Sequence, residues 1–171
     1  LFQGTRHLTS KEKVTSPKDM AGKKYRGVPV KLWSTMLTGM GAVATPVEVS
    51  ELATALATGL VVGQENPLPN IFNLKLYEVQ KYVTLSDHGY LGYAVIVNKK
   101  FWDGLPADVR AGLEGAMVEA TKYANKIAKE ENDAALEKVK ASGKTQVYVP
   151  TAADKAAWKK ALVGVHKEME G

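Results

Sequence analysis

The chain has 171 residues, enough for one domain of ordinary size or two small lobes. It is 45% hydrophobic and 24% charged and contains no cysteine, which excludes disulfides, thiolate metal sites and cysteine nucleophiles. The net charge of +5 and the pI near 9.2 would suit a nucleic-acid binder. The lysines, however, alternate with acids, as in KEEND and EKVKASGK, and no nucleic-acid motif accompanies them. That is the pattern of a solvated helix face, so no nucleic-acid partner is expected.

No apolar run reaches the length of a membrane span. The opening stretch, LFQGTRHLTS, reads like the interior of a folded protein, so a processed or truncated chain without a signal peptide is expected. TRHLT, residues 5–9, predicts a short strand, followed by the polar loop SKEKVTSP. Ser16 before Pro17 predicts an N-cap with proline at the first helical position, and PKDMA one helical turn that Gly22 stops. KKYRGVPV predicts a strand. LWSTMLTGM predicts a short amphipathic helix ended by Gly39 or Gly41. Thr45-Pro46 opens a turn, and Ser50 can cap the helix SELATALAT, whose Leu52, Ala55 and Leu56 share a face before Gly59 ends it.

Residues 60–62, LVV, predict a strand that turns at Gly63 and delivers Gln64, Glu65 and Asn66 to one point. IFNLKLYEVQKYVTL predicts a helix passing into a strand, and YLGYAVIVNKK, rich in Val and Tyr, a further strand. From Pro106 to about Ala141 the apolar residues Val109, Leu113, Met117, Ala120, Ala124 and Ile127 recur at helical steps. The resulting helix, about 54 Å long at 1.5 Å per residue, outruns a compact domain of this size. Gly143 stops it. TQVYVP predicts a strand, and TAAD has the spacing of a capping box, Thr151 with Asp154, opening a last helix with Trp158 and Leu162. Strands alternate with helices, so the class is α/β.

Three separated histidines, His7, His88 and His166, offer no metal-ligand spacing, and no glycine-rich phosphate loop is present. Neither a metal nor a cofactor is expected. Glu65 is a single carboxylate without a visible catalytic partner. Arg26 in KKYRGV and Arg6 in TRHLT are stronger leads, because a guanidinium forms two parallel charge-assisted bonds to a carboxylate and keeps its proton at neutral pH. Convergence of both arginines with Asn66 at neighbouring strand ends would make an anion pocket.

GTRHLTS, SPKDMAGKKYR, SELATALATGLVVGQENPLPNI and KLYEVQKYVTLSDHGYLGYAVIVNKKFWDGLP occur here in the order and spacing of TRAP transporter solute-binding proteins of the DctP type. The resemblance spans nearly the whole chain. It implies an α/β periplasmic-binding-protein-like fold of type II, in which two lobes flank a cleft and a long helix runs between them. Residues 1–91 and 132–171 would form the second, C-terminal lobe, with 92–131 belonging to a first lobe that is mostly absent. It further implies an extracytoplasmic, periplasmic receptor that captures an organic acid and delivers it to membrane permease subunits, without performing chemistry.

On this resemblance Arg26 is the principal carboxylate arginine, Arg6 a second cleft arginine and Asn66 a ligand contact. Glu65 would brace its polar neighbours, and His88 and Val49 belong to the same ligand-binding set. Val49 stands where relatives usually carry an aromatic residue, Val62 where they carry Asp, and Ala53 and Ala57 where they carry Tyr and Gln. An enzyme using Glu65 as a base in the same cleft is the alternative. Self-association through exposed apolar surface on 92–131 is also expected.

Overall fold

The computed structural model describes residues 1–170. Six strands form one mixed sheet: β1 (Phe2–Ser10), β2 (Lys24–Gly27), β3 (Val43–Pro46), β4 (Gly63–Asn66), β5 (Tyr82–Gly92) and β6 (Gln146–Tyr148). Their order across the sheet is β3-β2-β4-β1-β5-β6, with β1 antiparallel to both of its neighbours and the remaining pairs parallel. Six helices complete the fold: α1 (Lys31–Gly39), α2 (Leu52–Thr58), α3 (Leu68–Asn73), α4 (Lys99–Asp103), α5 (Ala107–Ala141) and α6 (Ala152–Met169). The α/β class expected from alternation is what the chain adopts.

Two apolar layers sandwich the sheet. One holds Leu8 of β1, Tyr25 of β2, Leu37 of α1 and Trp158 of α6. The other gathers Leu52 and Leu56 of α2, Ile71 of α3, Val83 of β5, and Ala135 and Val139 of α5. Trp158 is anchored as well as buried, because its indole N–H donates to the Thr15 carbonyl at 3.2 Å. The start of α6 carries the expected box, with Thr151 Oγ1 accepting from Asp154 N–H and the Asp154 carboxylate accepting from Thr151 N–H at 2.8 Å.

Several boundaries differ from the sequence reading, each for a local reason. Residues 60–62 are not the strand; β4 begins at Gly63 and consists of the polar run Gly63–Asn66. A Cβ on Gly63 would lie 2.4 Å from the Thr9 carbonyl oxygen and 2.4 Å from the Tyr25 ring, so this crossing tolerates only glycine. Thr45-Pro46 closes β3 rather than opening a turn, because it pairs with Arg26 and Gly27 of β2. Ser50 does not cap α2; a 3-10 turn over Val49–Glu51 leads in, and Glu51 takes the N-cap position. The stretch 90–100 contributes only Tyr90–Gly92 to β5, and 93–98 form no regular element. Tyr93 N–H still reaches the Leu1 carbonyl at 2.8 Å, and no described strand pairs with the residues after it.

The long helix is present, with Pro106 at its N-cap position and Ala107–Ala141 helical. Its 35 residues are unevenly used, for the only buried ones are Ala135 and Val139. Gly112 and Gly115 sit in the exposed half, where a glycine costs a helix about 1 kcal/mol relative to alanine. Local opening should therefore be cheaper there. Hydrogen exchange on the 171-residue chain should show amides of 107–126 exchanging about tenfold or more faster than those of 135–141. Equal protection along α5 would mean that an unrecognised partner covers its first half.

Candidate functional site

The site is built where β1, β4 and β5 lie side by side. Between the pairs Arg6↔Gly89 and Leu8↔Thr84, His7 alone on β1 faces Leu85, Ser86, Asp87 and His88 on β5. That bulge bends β5, and Asp87 takes a left-handed φ of 48° within it. His88 is thereby swung toward β4, its Nε2 lying 3.5 Å from Glu65 Oε2, with its side chain fully enclosed. Ser86 Oγ lies 2.7 Å from Nδ1 of the same ring.

Glu65 is the hub of this cluster. Arg6 donates from Nε to Glu65 Oε2, from Nη2 to Oε1 at 2.7 Å, and from Nη2 to the Glu65 carbonyl at 3.0 Å. Trp33 of α1 covers the guanidinium, with Arg6 Cζ 4.3 Å from the ring centroid. Burial pushes the Glu65 pKa up, but the approach of His88 and the bonds and charge of Arg6 more than reverse this and hold it below the usual carboxylate range. Arg6 is thus a paired, capped cation.

Arg26 differs. It is 2% exposed, yet only its Nε is committed, donating to the Val47 carbonyl at 2.8 Å. Nη1 and Nη2 have no hydrogen-bond partner among the described residues, and neither is sealed from solvent. Burial lowers its pKa, while the Glu65 charge does most to raise it and Arg6 works against it. On β4, Asn66 Oδ1 accepts from Asn70 Nδ2 at 3.1 Å and Nδ2 donates to Gln64 Oε1. One N–H of Nδ2 remains unspent.

Arg6, Glu65 and His88 are therefore gathered in one cluster, and Arg26 lies within reach of the charges of Arg6 and Glu65. Asn66 follows Glu65 on β4 and spends its side chain on Gln64 and Asn70. Val49 stands apart: it is 52% exposed in the 3-10 turn after Val47 and touches none of these groups through a hydrogen bond. Sequence reasoning missed Trp33 and Asn70 and gave Gln64 no partner. The four-residue spacing of Asn66 and Asn70 across the β4–α3 junction was a signal, whereas nothing local announces Trp33 over Arg6. A groove of about 500 Å³, lined in part by Leu32, Trp33, Met36, His88, Tyr90 and Leu162, adjoins the cluster. Among the described residues no cluster of three or more metal-ligating side chains occurs.

The family model "Bacterial extracellular solute-binding protein, family 7", DctP, matches residues 2–171. This chain belongs to the DctP-type TRAP solute-binding proteins. The C4-dicarboxylate-binding periplasmic protein DctP of Rhodobacter capsulatus is 51% identical over 166 residues, which are 97% of this chain and 50% of that protein. A TRAP periplasmic solute-binding protein from Shewanella oneidensis with bound succinate superposes with a TM-score of 0.90 at 30% identity, covering 99% of this chain and 56% of that one. Another from Pseudomonas aeruginosa PAO1, with bound L-malate, gives 0.89 at 29% identity, covering 98% and 58%. The chain spans about half the length of the relatives it matches. The matching family is one of solute-binding proteins.

One buried group gives the fold a pH dependence. Burial holds the His7 pKa down to about 4 from its ordinary 6.5, against the nearby Asp87 carboxylate, with smaller downward effects from His88 and Lys155. Its Nδ1 lies 3.8 Å from Asp87 Oδ1 and has no hydrogen-bond partner. Between those two pKa values the unfolded chain binds more protons than the folded one, so stability present above pH 6.5 is lost as pH falls toward 4. The loss attributable to His7 should approach about 3 kcal/mol. Urea unfolding at pH 6.5 and pH 4 should show this loss in the parent chain and a flatter profile in His7→Gln. An unchanged pH slope in the variant would remove His7 from this role.

Proposed function

We propose that this chain forms one wall of an extracytoplasmic, periplasmic receptor that captures an organic acid for a TRAP-type transporter. In this reading Arg26 holds the carboxylate through its two uncommitted nitrogens and Asn66 adds a donor. Arg6 shapes the wall while its charge stays with Glu65. The observation that carries it is a buried guanidinium with free terminal N–H groups beside a second one already neutralised. Such a site has a net unmet demand for one carboxylate. The R. capsulatus relative is named for C4-dicarboxylates, and the S. oneidensis and P. aeruginosa proteins hold succinate and L-malate, which supports a small dicarboxylate as the ligand class. TRAP membrane permease subunits would be the receiving partner.

Base chemistry at Glu65 is the less favoured reading. A carboxylate held below its usual pKa, with both oxygens engaged by Arg6, is a weak proton acceptor. Residues 1–91 and 132–171 would make up one lobe and 92–131 would pack with the other. The supporting observation is that α5 buries side chains only from Ala135 onward. Taken alone, the wall faces water, so charge-assisted bonds to a ligand are weakened and affinity should fall outside the micromolar range.

The test is an NMR titration of the 171-residue chain with millimolar succinate. Arg26→Ala should reduce affinity by about 10- to 100-fold, the weight of one or two charge-assisted hydrogen bonds. Undiminished shifts at Asn66 in that variant would overturn the assignment.

The same chain presents Ile96 at 88% exposed, with Val95, Tyr93, Phe101, Val118 and Tyr123 all more than half exposed. Apolar surface of this extent favours pairing of copies. Sedimentation velocity should show mass rising with concentration from the monomer, and substitution of Ile96 and Phe101 by Ser should suppress it. A single monomeric species at every concentration would refute self-association.

A further inference from the structure

A continuous chain of amide and hydroxyl groups runs through the sheet from its interior to Asn66. Gln80, 1% exposed, donates from Nε2 to the Val79 carbonyl at 3.1 Å and accepts at Oε1 from Thr9 Oγ1 at 3.1 Å. Thr9 Oγ1, its one proton spent, accepts from Gln64 Nε2 at 3.0 Å. Gln64 Oε1 then accepts from Asn66 Nδ2, and Asn66 Oδ1 accepts from Asn70 Nδ2 at 3.1 Å. Asn70 Oδ1 accepts from Gln3 Nε2 at 3.2 Å, and Gln3 Oε1 from the Tyr93 hydroxyl.

Every member except one could be turned end for end without breaking the chain. A carboxamide presents much the same shape with its oxygen and nitrogen exchanged, and a hydroxyl donates or accepts by rotation. The fixed member is Gln80. The Val79 carbonyl can only accept, so Gln80 must aim its NH₂ there and its oxygen at Thr9. All polarities beyond follow in sequence. The far end, a tyrosine hydroxyl, imposes none.

We propose that Gln80, Thr9 and Gln64 are positioning residues that set the polarity of Asn66, so that it meets the ligand with N–H rather than with an oxygen lone pair. This rests on the reading of Asn66 as a ligand contact. Its consequence is specificity: with Arg26 also contributing only donors, the wall is an array that accepts a carboxylate and discriminates against groups that must donate. Loss of Gln80 should invert the array. In Gln80→Met the Thr9 hydroxyl loses its acceptor, and the nearest replacement is Gln64 Oε1 after that amide turns over. Asn66 must then follow, presenting its oxygen to Gln64 and its NH₂ to Asn70, so that a lone pair takes the place its spare N–H had held.

Two measurements test this. The first needs no ligand and no variant. In NMR spectra of the 171-residue chain, the Gln64 carboxamide protons should show cross-relaxation to Thr9 side-chain protons, and the Asn66 carboxamide protons to Gln64. Gln64 carboxamide protons that see Asn66 instead of Thr9 would overturn the proposal. The second compares succinate with succinamide as probes. Gln80→Met should lower the succinate-to-succinamide affinity ratio by about tenfold, the weight of one hydrogen bond. A folded variant with the parent's ratio would also overturn it. A merely structural role for Gln80 would weaken both probes alike and leave the ratio unmoved. Arg26→Ala serves as the separate control: if succinate binding ignores Arg26, the site reading fails, while the first measurement still decides the polarity.

Discussion

The clamp between Arg6 and Glu65 is the constraint around which the site is organised. Two buried charges are costly to desolvate, and a buried ion pair is weak evidence for net stability. What the pair supplies is position. Glu65 receives Arg6 through both carboxylate oxygens and its own carbonyl, so two side chains from adjacent strands become one rigid strut. Trp33 closes the face of the guanidinium and excludes water from it. Removing either charge would strand the other in the interior, a penalty of about 3–5 kcal/mol. The strut also decides which cation remains available. With Arg6 neutralised, Arg26 keeps terminal nitrogens that no acceptor among the described residues takes up.

Backbone geometry places the strut. Arg6 and Glu65 lie on neighbouring strands, and the antiparallel register sets Leu8 opposite Glu65 and His7 opposite Asn66. Closeness of this kind requires that β4 approach β1 without a side chain at its first residue, which is the role of Gly63. On the other flank, the β5 bulge turns what would be an ordinary ladder into a bend that sends His88 to Glu65 and leaves His7 beside Asp87. The unpartnered Nδ1 of His7 is a cost of that bend, and it is where the fold becomes sensitive to acid.

Elements driven by local chemistry were legible in the sequence. The Thr151–Asp154 box, the Ser16-Pro17 turn and the glycine stop after α2, with Gly59 at a φ of 82°, are each decided within four residues. The long helix was equally plain, because its apolar spacing is regular whether or not a partner covers it. Strand limits were less legible because they depend on what lies alongside. LVV has the composition of a strand, but the ladder is formed by the polar run after it, whose partners are supplied by β1. YAVIVN has still stronger strand composition, yet among the described residues no strand lies alongside it to complete a ladder. Arg6, Arg26, Glu65, Asn66 and His88 could be named from the family pattern. Trp33, Thr9 and Gln80 could not, because their roles arise from side-chain direction across the sheet.

Polar burial in this sheet is unusually dense, since Thr9, Gln64, Glu65, Asn66, Gln80, Thr84 and Ser86 are all buried. A scaffold needing only stability would fill these positions with apolar side chains, which demand no partners. Each polar group instead constrains its neighbour's donor and acceptor assignment, outward from the fixed backbone carbonyl at Val79 through Gln80, Thr9 and Gln64 to Asn66. Along that line the side chains have essentially one consistent arrangement. A recognition surface gains from this because its donors are oriented before the ligand arrives, so little ordering entropy is lost on capture. On the proposed reading, a preference for an anion would owe less to total charge than to the direction in which these hydrogens point.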